Sequence, residues 1–435
     1  MLALALVLTL AQSEELLDRP DRNTRWARAG GRGNPSGAAF FEFAPTSGAG
    51  MGAVCACTTP TGAKGETLTY TRASNGTCTK TATGGLATTG IANGDIVVCS
   101  TNQPRVEYDE AGYLGLLVES ARTNIILRSQ EIENAAWTWG GTYTPTITAN
   151  YATAPDGTAT ADRVQIQATG SGEAARGYQS ALTAGSTYVC SGYLRGVSGS
   201  GQIDTIVDGS GSGFQCSTAS FVSTSWTRFV MPAKAVTVGV GSLLIGNDSR
   251  AITCSNGTRT AQDVLIWGVQ CESGNYVTSY IPTTSATVTR AGGAGGFNLA
   301  GFDGSAAGSM AVTLGYPSGA AWEGVPAQDS AALNLSTAVN ATGRLTYLVN
   351  GTTFGAFGGG PAATQTVDYT GTHRLGTYWT TTAVTSLFDA TTAAGTWTAP
   401  LNTQNVLQVG SYSGVRSINT IASRVCLDPS TTRCR

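Results

Sequence analysis

Ten cysteines lie in three groups along the chain, and each group contains an even number. The groups are Cys55, Cys57, Cys78 and Cys99; Cys190, Cys216, Cys254 and Cys271; and Cys426 and Cys434. Separately disulfide-bonded modules leave even groups of this kind, and disulfides persist in oxidising compartments. We therefore expect a modular, exported protein in which the second group pairs within itself and Cys426 pairs with Cys434. Buried free thiols in a cytosolic protein are the alternative.

The first residues are apolar and precede a small-residue pattern that is typical of signal-peptide cleavage. Ala11-Gln12-Ser13 permits cleavage before Glu14, so we predict a signal peptide over residues 1–13. Its start lacks the usual positive charge, and a buried first strand or helix is the alternative. No later run approaches the roughly 18 apolar residues of a spanning helix, so we expect no membrane insertion.

The low charge and the amino-acid composition restrict both the fold and the partners that can be expected for this protein. Charged residues make up only 12% of the chain and the net charge is -2. Neither nucleic acid nor an anionic membrane surface is therefore an expected partner. The chain has 57 glycines and many Thr and Ser residues, which disfavour long helices. This composition predicts an all-β fold.

Turn-rich breaks divide the rest of the chain into five segments. They are a flexible arm (14–45), a small cysteine-rich β module (46–110), a connector (111–135), a jelly-roll module (136–290) and a second sandwich (291–435). Alternating apolar and polar residues over 186–194 and 264–271 predict strands of an antiparallel sandwich. The connector holds the most helix-compatible stretch, Leu114 to Asn134. The predicted fold is a tandem of β-sandwich (jelly-roll) modules that follows a small cysteine-rich N-terminal β module.

Three stretches before residue 125 carry a family resemblance. They are Leu68-Thr-Tyr-Thr-Arg-Ala-Ser74, Gln103-Pro-Arg-Val-Glu-Tyr-Asp109 and Gly115-Leu-Leu-Val-Glu-Ser-Ala-Arg-Thr-Asn124. They resemble the shared segment of tailed-phage tail-fibre and receptor-binding proteins and of their prophage or bacterial relatives. In that family a carbohydrate-binding-module-like jelly roll follows, and Trp137 and the closing Thr278-Ser-Tyr-Ile-Pro-Thr-Thr284 are similar to its start and end. Residues 291–435 resemble, more weakly, laminin-G or concanavalin-like sandwiches.

The resemblance implies adhesive or structural use rather than chemistry. We predict a secreted, extracellular or virion-surface protein that binds a cell-surface glycan or polymer and forms a homo-oligomer such as a trimer. A purely structural fibre or decoration subunit is the first alternative, and a glycan hydrolase is the second. Phage fibres seldom carry an apolar leader or so many cysteines, so a secreted bacterial surface protein stands beside a virion component.

Catalytic motifs are sparse. His373 is the only histidine, and neither a Gly-x-Ser-x-Gly elbow nor a papain-like cysteine context accompanies it. Cys55-Ala-Cys57 lacks the ligand spacing of a zinc site, so a disulfide is the better interpretation. We therefore expect no enzymatic activity.

Paired carboxylates are the one catalytic arrangement that the sequence leaves open. A glycosidase needs two of them at a defined separation, and the candidates are Asp204 with Asp208 and Glu272 with Asp263. Neither pair lies in a recognisable catalytic context. Most such residues are turn formers or solvated strand edges.

Aromatic side chains are the candidates for sugar recognition, because flat apolar rings fit the C–H faces of sugars. The candidates are Trp137, Trp139 and Tyr178 in the jelly roll and Trp379 and Trp397 in the second sandwich. Packing is the alternative for Trp137, as a lid on the sandwich. Trp226 and Trp267 lie inside alternating strands, so we expect both in the core.

The resemblance also allows for a structural calcium ion, because sandwiches of this sort often carry one. Hard cations take several oxygen ligands from loops. The candidate ligands near the sandwich ends are Glu131, Asp156, Asp162 and Asp263. No EF-hand loop is present, and no other cofactor is expected.

Overall fold

The computed structural model of the protein describes residues 39–42, 68–79, 90–108, 114–211, 213–250, 258–298, 307–315, 330–336, 345–350, 353–357, 361–366, 372–396, 406–409 and 420–428. These residues form antiparallel strands joined by turns, and none of them lies in a helix. The predicted all-β fold is therefore confirmed over this part of the chain. It also contains no helix that is long and apolar enough to cross a membrane.

The strands are numbered in chain order. The first seven are β1 (Ala39–Glu42), β2 (Leu68–Thr71), β3 (Gly76–Thr79), β4 (Ile96–Cys99), β5 (Val106–Tyr108), β6 (Leu114–Val118) and β7 (Arg122–Asn124). The next eleven are β8 (Thr138–Gly141), β9 (Thr146–Ala152), β10 (Ala161–Ile166), β11 (Ala174–Thr183), β12 (Ser186–Gly196), β13 (Gly201–Asp208), β14 (Phe214–Phe221), β15 (Thr227–Val230), β16 (Lys234–Val236), β17 (Val240–Asp248) and β18 (Gln262–Ser273). The last twelve are β19 (Val288–Arg290), β20 (Ala294–Asn298), β21 (Ala307–Gly315), β22 (Ser330–Ser336), β23 (Leu345–Asn350), β24 (Thr353–Phe357), β25 (Pro361–Thr366), β26 (Thr372–Thr380), β27 (Ala383–Phe388), β28 (Thr391–Thr396), β29 (Val406–Val409) and β30 (Thr420–Asp428).

Strands β8 to β18 form the middle sandwich. Its six-stranded sheet has the order β15-β12-β18-β10-β9, with β16 also paired to β12, and its five-stranded sheet has the order β14-β13-β17-β11-β8. Alternate side chains of each strand point between the sheets, where Val164, Val207 and Ile245 are among the fully buried core residues. The strands that the alternation predicts over 186–194 and 264–271 lie within β12 and β18.

Disulfides are present in the described part of the chain. Cys190 and Cys271, both in the second cysteine group, form one that joins the neighbouring strands β12 and β18. Cys78, Cys99 and Cys216 are also disulfide-bonded, and no described cysteine is free. The sulfurs of Cys78 and Cys99 are 3.4 Å apart, so these two are not bonded to each other. The remaining predicted disulfide residues, Cys55, Cys57, Cys254 and Cys434, lie outside the described residues, as does the side chain of Cys426.

A second hydrophobic cluster covers part of the outer side of the six-stranded sheet. It brings Tyr193 and Trp267 of the sheet together with Tyr280, whose ring centroid is 4.6 Å from that of Trp267. Ile91, which precedes β4, joins the cluster and forms a β-bridge with Trp226. Trp226 and Trp267 are fully buried, which confirms the expectation that both are core residues.

Strands from both halves of the chain form the second sandwich. Its eight-stranded sheet has the order β28-β27-β26-β21-β30-β6-β5, with β1 also paired to β30, and its seven-stranded sheet has the order β2-β20-β29-β22-β23-β24-β25. Apart from the hairpin β3–β4, the described strands of residues 46–110 therefore join these sheets and form none of their own. Short strands bury too little surface to be stable alone. The module boundaries that the sequence predicts stay predictions.

The stretch 114–134, which the sequence favours as a helix, contains β6 and β7 instead. Leu116, Leu117 and Val118 are fully buried, and β6 pairs with β30 on one side and with β5 on the other. A strand that is buried on both faces has a continuous apolar run, and local sequence does not distinguish such a run from a buried helix. The pairing with residues about 300 positions away decides the structure.

Glu119 follows β6 and is the centre of a buried ionic cluster, here called the Glu119 hub (Arg105, Glu119, Ser279 and Arg290). One carboxylate oxygen of Glu119 lies 2.5 Å from Arg105 Nη1 and 2.9 Å from Arg290 Nη1. Ser279 donates its backbone N–H and its hydroxyl to the same carboxylate, each at 2.7 Å. Burial alone would raise the pKa of Glu119, but the charges of Arg290 and Arg105 lower it to about 2.

Asn124 ties β7 to β18 in a similar way. Its side-chain amide donates to the backbone carbonyls of Val269 and Ile281, and its side-chain oxygen accepts the backbone N–H of Cys271. Asn124 and Glu119 both belong to the stretch 115–124 that carries the family resemblance. Two residues of that stretch therefore make buried structural contacts.

Candidate functional site

The side chains of the five-stranded sheet alternate between the core and the opposite side, here called the outer face. On β13, Ile203 and Val207 pack in the core, so Asp204, Ile206 and Asp208 point outward. The same alternation operates on β11, β14 and β17. The strand register therefore decides which outward side chains become neighbours.

Outward side chains of four strands, three of them polar, form one line across the sheet, here called the Ser180 row. Ser180 on β11 lies opposite Ser242 on β17, and Ser242 lies opposite Asp208 on β13. Phe214 on β14 lies opposite Asp208 and ends the row. The hydroxyls of Ser180 and Ser242 are hydrogen-bonded at 2.7 Å, and Asp208 accepts the backbone N–H of Ser210 at 2.8 Å. Because neighbouring strands are about 4.8 Å apart, the row is about 14 Å long.

Two aromatic rings border the Ser180 row. Phe214 at its end is 39% exposed. Tyr178 lies two residues before Ser180 on β11, so it shares the outer face, and it is half-buried. The neighbour of Tyr178 on the next strand, β17, is Leu244, and the neighbour of Leu244 on β13 is Ile206. Both are buried. The open part of the outer face thus combines hydroxyls, a carboxylate and two rings.

Arginine–aspartate pairs occupy the other half of the outer face. Arg259 binds the carboxylate of Asp204 through two guanidinium nitrogens, and Arg250 binds Asp248 at 2.5 and 2.7 Å. Arg176 Nε lies 3.2 Å from Asp248 as well. Both carboxylates are only 1% exposed and are neutralised by these arginines. This half of the face is therefore held together by its own charges.

Neither acidic pair that the sequence offers has the geometry of a glycosidase. Asp204 and Asp208 are four residues apart on β13, which is about 13 Å, and Asp263 and Glu272 are nine residues apart on β18, about 30 Å. Glycosidase carboxylates lie roughly 5 to 9.5 Å apart. Asp204 is in addition committed to Arg259. These pairs do not form a hydrolytic centre.

The structure separates the five aromatic residues that the sequence favours as ligand platforms. Trp137 and Trp379 are 4% and 1% exposed, so packing covers their ring faces and leaves no room for a sugar. Trp139 packs against the core, and its indole N–H donates to a backbone carbonyl at 2.7 Å. Trp397 lies outside the described residues. Tyr178 is the member of this set that is half-exposed on the outer face.

The four carboxylates that were expected to bind calcium have separate partners. Glu131 and Asp263 form ion pairs with arginines at 2.9 and 2.6 Å. Asp156 accepts hydrogen bonds from Thr158, and Asp162 is buried among backbone N–H groups. Over the described ranges, no three His, Cys, Asp or Glu residues are grouped so that they could hold a metal. The structure does not bring the expected ligands together.

Comparisons with known proteins find no matching family model and no matching curated protein. Among solved structures, the CBM22-1–CBM22-2 tandem of Paenibacillus barcinonensis Xyn10C is 11% identical over 72% of this chain and 99% of its own, with a TM-score of 0.27. The CBM22-1–GH10 modules of Clostridium thermocellum xylanase 10B with xylohexaose are 15% identical over 38% and 30%, with a TM-score of 0.24. Mouse laminin α1 domains LG4-5 are 13% identical over 67% and 91%, with a TM-score of 0.19. Similarities at these scores do not establish what this chain binds.

Proposed function

We propose that this protein is a non-enzymatic recognition protein that binds a cell-surface glycan or polymer through the Ser180 row. The observation that carries the proposal is the row itself, in which two hydroxyls and a carboxylate cross an open sheet face between two aromatic rings. Rings pack against the C–H faces of sugars, and hydroxyl and carboxylate groups bind their hydroxyls. The sheet holds these groups in fixed positions, which lowers the entropic cost of binding.

An oxidising location supports a role at a surface. The Cys190–Cys271 disulfide and the bonded state of Cys78, Cys99 and Cys216 agree with an exported protein. We propose that the protein lies outside the cell, as a secreted surface protein or a component of a virion similar to a phage fibre, and that it forms a homo-oligomer. Virion purification followed by mass spectrometry of its proteins distinguishes the two sources.

A glycan array probed with the full-length protein tests the proposed function. We expect binding to at least one glycan class, a loss of about tenfold or more in Tyr178→Ala, and a similar loss in Asp208→Asn, because each variant removes one contact worth 1–2 kcal/mol. Tyr143→Ala is the matched control, since Tyr143 is 39% exposed but lies outside the Ser180 row. Unchanged binding in both test variants would show that the row is not the site.

The array also separates the alternative functions. A stable oligomer that binds no glycan would favour a purely structural fibre or decoration subunit. Release of reducing sugar from a bound polysaccharide would favour a hydrolase. That result would contradict the argument above that the acidic pairs are too far apart for hydrolysis. Binding without turnover is the result that we expect.

A further inference from the structure

A pronounced irregularity interrupts the edge strand β9. The pairing shifts between Thr148 and Ala152, so three residues of β9 lie opposite the single residue Asp162 of β10. Asn150, the middle one, has a φ of 53°, which non-glycine residues adopt only at a cost. Bulges of this kind redirect side chains. Here Tyr151 is directed to the surface and is 47% exposed.

A buried carboxyl group supports this bulge. Asp162 is 1% exposed, and its two oxygens accept the backbone N–H groups of Asn150 at 2.8 Å and Ile132 at 2.9 Å. The strained residue is therefore fixed to the body of the sandwich. A local strain that is held in place in this way is typical of functional sites.

The exposed ring of Tyr151 packs against the guanidinium of Arg163, which Asp263 holds in place. The guanidinium carbon of Arg163 lies 5.0 Å from the ring centroid, and Asp263 holds the same guanidinium through two hydrogen bonds of 2.8 and 2.6 Å. Gln165, which is exposed, lies opposite Asp263 in the sheet. The ring thus has one supported side, a solvent-exposed side and polar groups beside it.

We infer that Tyr151, Arg163, Asp263 and Gln165 form a second saccharide-binding site, on the opposite side of the middle sandwich from the Ser180 row. The inference rests on the proposed function in taking a saccharide as the ligand class. Arg163 and Asp263 compensate each other's charge, so the site suits a neutral sugar. The sugar stacks on the free side of the Tyr151 ring, and its hydroxyls bind the carboxamide of Gln165 and the carboxylate of Asp263.

Two sites on opposite sides of one sandwich make the protein bivalent. A short oligosaccharide then occupies either site independently, whereas a flexible polymer that is long enough to pass around the sandwich engages both. Bivalent engagement raises the apparent affinity for a polymer by roughly 100-fold over that of one site, provided that the geometry allows both contacts. Short and long ligands should therefore respond differently to the loss of Tyr151.

Calorimetric titration of the full chain tests this second site. The probes are neutral hexasaccharides of β-1,4-linked xylose, glucose and mannose, each with the corresponding soluble polysaccharide. We expect two sites per chain for a hexasaccharide, one site in Tyr151→Ala, one site in Tyr178→Ala and none in the double variant. Tyr151→Phe, which keeps the ring, restores the second site, and Tyr143→Ala leaves both sites unchanged. Matching near-ultraviolet circular dichroism and melting temperatures confirm that each variant folds.

The outcomes distinguish the two proposals. A single site that Tyr178→Ala abolishes and Tyr151→Ala leaves intact would overturn the second site and keep the proposed function. A single site that only Tyr151→Ala abolishes would support the second site and reject the Ser180 row. The absence of binding to all hexasaccharides and polysaccharides would overturn both.

Discussion

The pKa values of two buried carboxyl groups in this protein are shifted in opposite directions. Glu119 lies between Arg105 and Arg290, which outweigh its burial and lower its pKa to about 2. Asp162 is also buried, and its burial, together with the hydrogen bond that its protonated form donates to Glu133, raises its pKa to about 7. One group is thus a stable anion inside the fold, whereas the other gains a proton near neutral pH.

This difference in pKa reflects different roles: Glu119 joins segments of the fold, and Asp162 supports the strained bulge of β9. The Glu119 carboxylate has two arginines and both donors of Ser279 as partners, and the hub joins segments near β5, β6, β18 and β19, so its contribution is to stability. Asp162 has two backbone N–H donors but, among its main electrostatic partners, no cation. A protein tolerates such an uncompensated group where local shape has a use. Here the shape is the bulge that presents Tyr151.

The largest expected effect is the loss of the hub anion. Glu119→Gln removes the counter-charge that Arg105 and Arg290 share, and removing one partner of a buried ion pair costs about 3–5 kcal/mol of unfolding free energy. Urea denaturation measures this loss at pH 7. The control is Glu131→Gln, which breaks the half-exposed pair with Arg128 and costs less than about 1 kcal/mol. Equal stability of the two variants would refute a structural role for the hub.

Local alternation predicts the middle sandwich better than the second one. Strands β12 and β18 and the burial of Trp226 and Trp267 follow from residue patterns within one segment. The place of β6 does not, because its pairing partner is about 300 residues away. The Glu119 hub depends in the same way on side chains from distant segments. Sequence patterns predict local secondary structure, but they do not predict which distant strands pair or in what register.

The candidate site shows the same division. Tyr178 can be predicted from its sequence, since an aromatic residue in an alternating strand is an obvious ligand candidate. The Ser180 row cannot, because its members come from β11, β17, β13 and β14 and meet only through the register of those strands. Trp137 and Trp379 satisfy the same sequence criterion as Tyr178 but are buried. Residue type alone therefore does not separate a platform from a core side chain.

A smaller effect is expected when the hub loses one of its two cations. Arg290→Met leaves Glu119 with Arg105, so the cost at pH 7 is about 2 kcal/mol, roughly half that of an unpaired buried charge. The pKa of Glu119 should rise toward its ordinary value, because an opposite charge has been removed. A carboxyl whose folded pKa is depressed adds stability above its unfolded value near 4.5, and this stability is lost as the pH falls toward 2.

The acid-unfolding midpoint measures this shift. The Arg290→Met variant starts from a lower stability, so its acid-unfolding midpoint should lie at a higher pH than that of the wild type. Arg128→Met is the control, because its pairing with Glu131 is half-exposed and is not part of the hub. A variant whose acid midpoint stays at the wild-type value would show that Arg290 does not hold the charge of Glu119.

The smallest expected effect concerns Asp162 and reverses the sign of the pH dependence. Its folded pKa is raised above the ordinary value of 3.8, so the protonated form favours folding, and this contribution is lost as the pH rises from about 4 through 7. Glu133→Gln removes a negative charge beside Asp162 and lowers its pKa, although burial still raises it. The melting temperature should therefore rise by about 2 °C at pH 8 and stay unchanged at pH 5.

Glu131→Gln provides the matched control for this last effect, because Glu131 is two residues away and pairs with Arg128 instead of Asp162. It should leave the difference in melting temperature between pH 5 and pH 8 at the wild-type value. Parallel melting curves for Glu133→Gln and the wild type would show that Asp162 is charged throughout this range. The bulge would then be supported by an ordinary charged carboxylate. Asp162 and Glu119 would differ only in whether arginine side chains lie beside them.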